Sequence, residues 1–313
     1  MAKTLLVLSS LLLNEMEILG QHFKVIRLNK EDDPERAIRE NCDDIVGIVS
    51  SHTTPVHRSL IDVLPNLEII ANFAVGVDNV DLDCAKERGV KVTNTPDVLS
   101  DETAVTGLSL MLAVTRRVVE ADMFVRVGKW PTTRFPLGTS LSKKTIGIVG
   151  LGRIGQSVAK KAEAFDMDVI YYGRGKKDDQ PYEFVPDLKR LAERSDVLML
   201  CCSGGPETKN IITYDILESL GKKGFLINIS RGSVVNEDDL LQALANKKIA
   251  GAGLDVYANE PHVPEGLLKM DNVVLLPHVG SATFETRTKM GQLVAGNILA
   301  HFNGDKLLSE YEV

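Results

Sequence analysis

Gly150-Leu-Gly152-Arg153-Ile154-Gly155 follows the buried-looking apolar run Thr145–Val149 and opens a helical stretch, and no other feature of this 313-residue chain restricts its fold as tightly. A glycine at the first position permits a tight turn. The second lets backbone approach a pyrophosphate, and the third lets the helix lie close on the sheet. The N–H groups at Arg153 and Ile154, with the helix dipole behind them, are suited to hold phosphate oxygens. The pattern predicts the opening strand, turn and helix of a doubly wound parallel sheet.

The remainder of the chain agrees with that frame. From Lys144 the apolar runs Thr145–Val149, Asp168–Tyr172, Val197–Cys201, Phe225–Ile229, Gly253–Val256 and Val273–Leu276 alternate with helical stretches, giving six expected strands. An earlier series, Leu5–Leu8, Phe23–Leu28, Ile45–Ser50, Leu67–Phe73 and Lys91–Thr93, predicts a smaller open α/β unit, with helices over segments such as Glu35–Asn41 and Asp81–Arg88. Between the two, residues 101–127 run without Gly-Pro punctuation. They read as one long helix with Ser100 as its N-cap and more apolar positions than a single core stripe needs, which predicts a homodimer packed on it. The loop Gly128–Ser142, with Trp130 and Phe135, then reads as an arm. The last helix, about Thr283 to Phe302, is expected to cross back onto the first unit. The expected domains are therefore 1–99 with 283–313, and 100–282.

Charge and cysteine usage exclude several classes. A formal net charge of -7 argues against a nucleic-acid partner, since phosphate affinity comes from a surplus of Lys and Arg on one face. Cys42, Cys84, Cys201 and Cys202 lack Cys-x-x-Cys spacing, so neither zinc nor another metal site is expected, and they read as small buried hydrophobes in a reducing cytosol. The run Leu5–Leu13 could imitate a signal-peptide core, but it has no small-residue cleavage site and leads into Asn14-Glu15. A buried strand followed by a helix accounts for it, and a cytoplasmic protein without membrane association is expected.

The strand after the glycine turn ends Tyr171-Tyr172-Gly173-Arg174-Gly175-Lys176-Lys177. A carboxylate at this place would grip a ribose 2′-hydroxyl, and there is none. Guanidinium and ammonium groups stand there instead, suited to a 2′-phosphate. NADPH is therefore the expected cofactor, with NADH a weaker one.

Three further segments end in polar residues just past strands. Arg231, in Ile227-Asn-Ile-Ser-Arg231-Gly232, offers a planar, always-charged fork matched to a carboxylate. His278, in Leu275-Leu-Pro277-His278, can donate a proton near neutral pH, and Glu260 of Asn259-Glu260-Pro261 can hydrogen-bond the imidazole, orient it and favour its protonated form. An Arg, a Glu and a His so placed are what holding a 2-keto acid and protonating its ketone oxygen require.

With these motifs in place, the chain resembles the D-isomer-specific 2-hydroxyacid dehydrogenase family over essentially its whole length. The likeness rests on Gly150-Leu-Gly-Arg-Ile-Gly155, Asn228-Ile-Ser-Arg231-Gly232, Gly251-Ala-Gly-Leu-Asp255-Val with Glu260-Pro261, and Pro277-His278. It implies a Rossmann-type doubly wound parallel sheet inserted into a second, smaller flavodoxin-like α/β substrate domain. It further implies that Arg231 binds the substrate carboxylate, that His278 is the acid/base and that Glu260 is its partner. Substrate contacts from the N–H groups of Val75 and Gly76 are implied too, as are cofactor contacts from Thr103, Ile229, Ser230, Arg231 and Asp255 beside those of the two glycine loops. Within the family the likeness is to NADPH-dependent reductases of glyoxylate and hydroxypyruvate, with reductases of 2-ketogluconate and 4-hydroxyphenylpyruvate as alternatives. A nucleotide-sensing co-repressor relative is the non-enzymatic alternative.

Overall fold

The computed structural model describes residues 3–8 and 13–312, so part of the Leu5–Leu13 run lies outside the described residues. The chain forms two compact units, residues 1–99 with 282–313 and residues 100–281.

In the first unit, strands β1 (Thr4–Val7), β2 (Lys24–Arg27), β3 (Ile45–Ser50), β4 (Ile69–Asn72) and β5 (Lys91–Thr93) form a parallel sheet ordered β2-β1-β3-β4-β5. β1, β3 and β4 are buried at every position, as expected of parallel strands covered on both faces. The helices are α1 (Leu13–His22), α2 (Pro34–Asn41), α3 (Arg58–Asp62) and α4 (Leu82–Glu87). Asp33 and Asp81 cap α2 and α4 by accepting the N–H groups of Arg36 and Cys84.

The second unit starts with α5 (Ser100–Thr115) and α6 (Val118–Arg126), followed by β6 (Thr145–Val149), α7 (Arg153–Glu163), β7 (Asp168–Tyr172), β8 (Glu183–Phe184), α8 (Leu188–Glu193) and β9 (Val197–Leu200). It continues through α9 (Tyr214–Leu220), β10 (Phe225–Asn228), α10 (Glu237–Ala245), β11 (Gly251–Leu254), α11 (Glu265–Leu268) and β12 (Val273–Leu275). All pairings are parallel, in the order β12-β11-β10-β9-β6-β7-β8. The order reverses at β6, where α/β sheets of this kind bind their ligands. Strand alternation divides the core in two. Leu198, Leu200 and Leu226 face a layer with α8, α9 and α10, while Val197, Met199 and Ile227 face one with α5 and α7. The helix α12 (Phe284–Asn303), capped by Thr283, belongs to the first unit.

Three expectations need correction. The second sheet has seven strands, not six; β8 is a two-residue edge strand after Pro181, too short to give an alternation signal. The single helix over 101–127 is broken. α5 ends at Thr115 and α6 starts at Val118, with Arg117 left-handed at φ 54°. The cause is the returning arm: Thr139 donates its N–H to the Thr115 carbonyl at 2.8 Å, and Gly138 lies so close that a Cβ there would be 2.9 Å from the same oxygen. Strand β11 also starts two residues earlier than the predicted Gly253–Val256.

Candidate active site

The glycine turn has the backbone the sequence requires. Gly150 has φ +94°, and a Cβ on it would lie 2.7 Å from the Cys202 Cα. A Cβ on Gly155 would lie 2.2 Å from the Gly150 carbonyl oxygen, so α7 starts directly against the turn. Gly152 precedes the helix without a side-chain cap and has open space where a Cβ would be. A helix N-terminus opened by glycines and set at the reversal of strand order, with open space beside Gly152, fits a dinucleotide pyrophosphate. The turn is tied to the next strand by the Gly150 N–H donating to the Tyr172 carbonyl at 2.8 Å. Burial pushes the Cys202 thiol beneath it up to about 11, so it lines the turn as a neutral group.

The basic loop follows β7. Arg174 is exposed, and among the described residues it has no ion-pair partner; Lys176 lies 3.5 Å from Asp178. Gly173 and Gly175 have nothing within 4 Å of a notional Cβ.

Past β10, the buried Asn228 shapes the turn that carries Arg231. Its Oδ1 accepts the Ser230 N–H at 3.0 Å and hydroxyl at 2.9 Å, while its Nδ2 donates to the Arg231 carbonyl at 3.0 Å. Gly232 packs so tightly on the next loop that a Cβ would fall 1.8 Å from the Tyr257 carbonyl carbon. That contact sets the Arg231 turn directly against the loop bearing Glu260.

His278 Nδ1 lies 2.7 Å from Glu260 Oε2, and the other carboxylate oxygen accepts the Tyr257 N–H at 3.0 Å. The carboxylate is thus held at both oxygens. His278 is left-handed at φ 54°, uncommon for a residue with a Cβ. Asp255 holds it there: its carbonyl accepts the His278 N–H, and its carboxylate oxygens accept the N–H groups of Val279 and Gly280 at 2.7 and 2.8 Å. Burial raises the Asp255 carboxyl above its ordinary range while these N–H groups pull it back. Asp255 was expected as a cofactor contact, and both its oxygens are already engaged in shaping the His278 turn.

Thr103 and Ile229 are buried, Ile229 packing toward Gly107 on α5. In the first unit, the carbonyls of Val75 and Gly76 accept from Asn94 Nδ2 and Asn72 Nδ2, at 2.8 and 2.7 Å. Their own N–H groups donate to no acceptor among the described residues, which is the arrangement an anion needs. Sequence reasoning quoted Asn228 within a motif without giving it a role, and missed Glu237 altogether. Glu237 accepts the Ala258 N–H at 2.9 Å, and burial raises its carboxyl. Neither has a signal beyond a polar residue near a strand or helix end.

Comparison with known proteins shows the family to which the chain belongs. The model of the D-isomer specific 2-hydroxyacid dehydrogenase NAD binding domain matches residues 108–280. The chain belongs to that family, and is thus an NAD(P)-dependent oxidoreductase. It is 44% identical to a glyoxylate/hydroxypyruvate reductase of Arabidopsis thaliana, with 96% of each chain covered. To the 2-ketogluconate reductase of Gluconobacter oxydans it is 47% identical, covering 85% of this chain and 86% of that one. Among solved structures, an NADPH-dependent glyoxylate/hydroxypyruvate reductase from Sinorhizobium meliloti, in complex with NADP and malonate, superposes with a TM-score of 0.91. It is 39% identical, and 99% of this chain and 97% of that one are covered. Among the described residues no helix is long and apolar enough to cross a membrane.

Proposed function

We propose that this protein reduces glyoxylate or hydroxypyruvate to the D-2-hydroxy acid with NADPH. The observation that carries the reading is the His278–Glu260 pair at 2.7 Å, on the same unit as the Gly150–Gly155 turn and Arg231. A bound nicotinamide dinucleotide supplies the hydride that reaches the keto carbon. Arg231 holds the substrate carboxylate through its planar fork. As the carbonyl carbon gains the hydride, the carbonyl π pair moves onto oxygen, and His278 passes it a proton from Nε2. Glu260, fixed at Nδ1, keeps the ring oriented and stabilises the charged imidazolium before transfer. NADPH is favoured over NADH by the exposed Arg174 and by the absence of a carboxylate at the end of β7. The NADP-bound relative supports the same choice.

The likeness to a 2-ketogluconate reductase keeps that longer acid as a second reading. Absorbance loss at the nicotinamide band, with NADPH and NADH in turn, tests both. Glyoxylate, hydroxypyruvate, 2-ketogluconate and 4-hydroxyphenylpyruvate are offered separately. Fastest NADPH oxidation with either of the first two is expected. A clear preference for one of the others reassigns the substrate, and silence with all four despite cofactor binding points to a binding protein.

We also propose a homodimer formed through α6. No residue of that helix is buried, and Val118, Val119, Met123 and Val125 are each about half exposed. The arm is pinned to it by Phe135, which meets Phe124 edge-on at 5.3 Å, and Trp130 remains 70% exposed. An apolar face flanked by both signs of charge, Asp122 and Arg126, is suited to its own copy about a twofold axis.

A further inference from the structure

β7 ends in two tyrosines whose side chains leave on opposite faces. Tyr172 contributes its carbonyl to the Gly150 turn. Tyr171 contributes its side chain. Its ring is 1% exposed and rests on Phe184 of β8, centroids 5.4 Å apart. Yet its hydroxyl reaches six residues along the chain and accepts the Lys177 N–H at 2.7 Å. The loop that carries Arg174 is thereby attached to β7 at both ends, covalently at Gly173 and through the phenol at Lys177. Between these points little else holds it. Two of its five residues are glycines with open space around them, and the Lys176–Asp178 ion pair is exposed at both partners. Such a segment samples many courses unless something ties it down.

We propose that Tyr171 is a positioning residue for cofactor discrimination: its hydroxyl fixes the 173–177 loop in the course that presents Arg174 to a 2′-phosphate. The proposal rests on the NADPH reading above. A ligand with the phosphate needs the loop ordered, and a ligand without it does not. Tyr171→Phe keeps the ring and its contact with Phe184 and removes only the acceptor, so the ordering cost falls on each 2′-phosphate binding event.

The test is calorimetric titration of wild type, Tyr171→Phe and Arg174→Ala with NADP+, NAD+, 2′,5′-ADP and 5′-ADP. One neutral hydrogen bond corresponds to about fivefold in affinity. Tyr171→Phe is expected to weaken NADP+ and 2′,5′-ADP by about that factor, to change NAD+ and 5′-ADP less than about twofold, and to leave kcat at saturating NADPH unaltered. In hydrogen exchange, the Lys177 amide should be the protected one of the loop, and Tyr171→Phe should erase that protection. Equal weakening of all four ligands, or an unprotected Lys177 amide in wild type, overturns the proposal. So does a wild-type preference for the 2′-phosphate that Arg174→Ala abolishes and Tyr171→Phe leaves intact. A wild type that binds NADP+ no better than NAD+ overturns the cofactor reading itself.

Discussion

His278 is held in a backbone conformation that costs a residue with a Cβ roughly 1–2 kcal/mol, and three hydrogen bonds to Asp255 offset it. The same economy of means recurs in the Glu260 loop, where Glu237 accepts the Ala258 N–H. Burial raises the Glu237 carboxyl above its ordinary 4.5, so the folded protein binds this proton more tightly than the unfolded chain. Stability from that proton is fully present at low pH and is lost as pH rises through the raised value. Glu237→Gln keeps an acceptor for Ala258 and carries no charge. Urea melts from about pH 4 to about pH 7 should therefore show the variant gaining on wild type as pH rises. A variant that loses ground over that range would mean the ionised carboxylate is the stabilising form. The Glu260–His278 pair and the place of Arg231 were legible in the sequence as candidates because each is a chemically pointed residue a short way past an apolar run. Asn228, Glu237 and the supporting work of Asp255 were not, because they act on backbone N–H and carbonyl groups that meet only once the chain has turned back.

At the scale of elements, the sequence predicted nearly every strand because parallel strands buried on both faces read as unbroken apolar runs. It failed at β8, which is two residues long, and at the α5–α6 break, where no Gly or Pro interrupts the helical pattern. That break is made by a tertiary contact, the Thr139 N–H on the Thr115 carbonyl, and the break makes α6 a helix of its own. With Arg117 paired to Glu120 at 2.9 Å and its guanidinium over Phe135 at 5.2 Å, α6 and the arm form a single surface. Replacing Val119 and Met123 together by Glu places two charges in the middle of that apolar face without touching the core, since both are about half exposed. Sedimentation at micromolar protein should give the dimer mass for wild type and the monomer mass for the double variant. A monomeric wild type, or a dimeric variant, would remove α6 from the interface.

For the whole molecule, the notable economy is that the first unit is closed by the chain's last segment. α12 packs on α1 and β4, and the residues after it return to the sheet edge. There the Tyr311 N–H donates to the Val92 carbonyl at 2.8 Å, Lys91 pairs with Glu310 at 2.6 Å, and the Ser309 hydroxyl donates to the Asn94 carbonyl at 2.7 Å. Asn297, fully buried on α12, accepts the N–H groups of Leu308 and Ser309 and donates to the Ser309 hydroxyl. Lys91–Glu310 is a half-exposed pair and contributes little. The buried amide matters more, because ending the chain after Gly304 strips Asn297 of three of its four partners. That loss costs on the order of 2–5 kcal/mol, and all of it falls on the first unit. The second unit has its own sheet and two core layers of its own. Hydrogen exchange on the truncated chain should therefore show β4 and β5 losing protection while β6, β7 and β10 keep theirs. Titration with NADP+ should give nearly the wild-type affinity. If protection falls equally in both units, they unfold as one cooperative body, and the chain's last residues support cofactor binding as well as the first sheet.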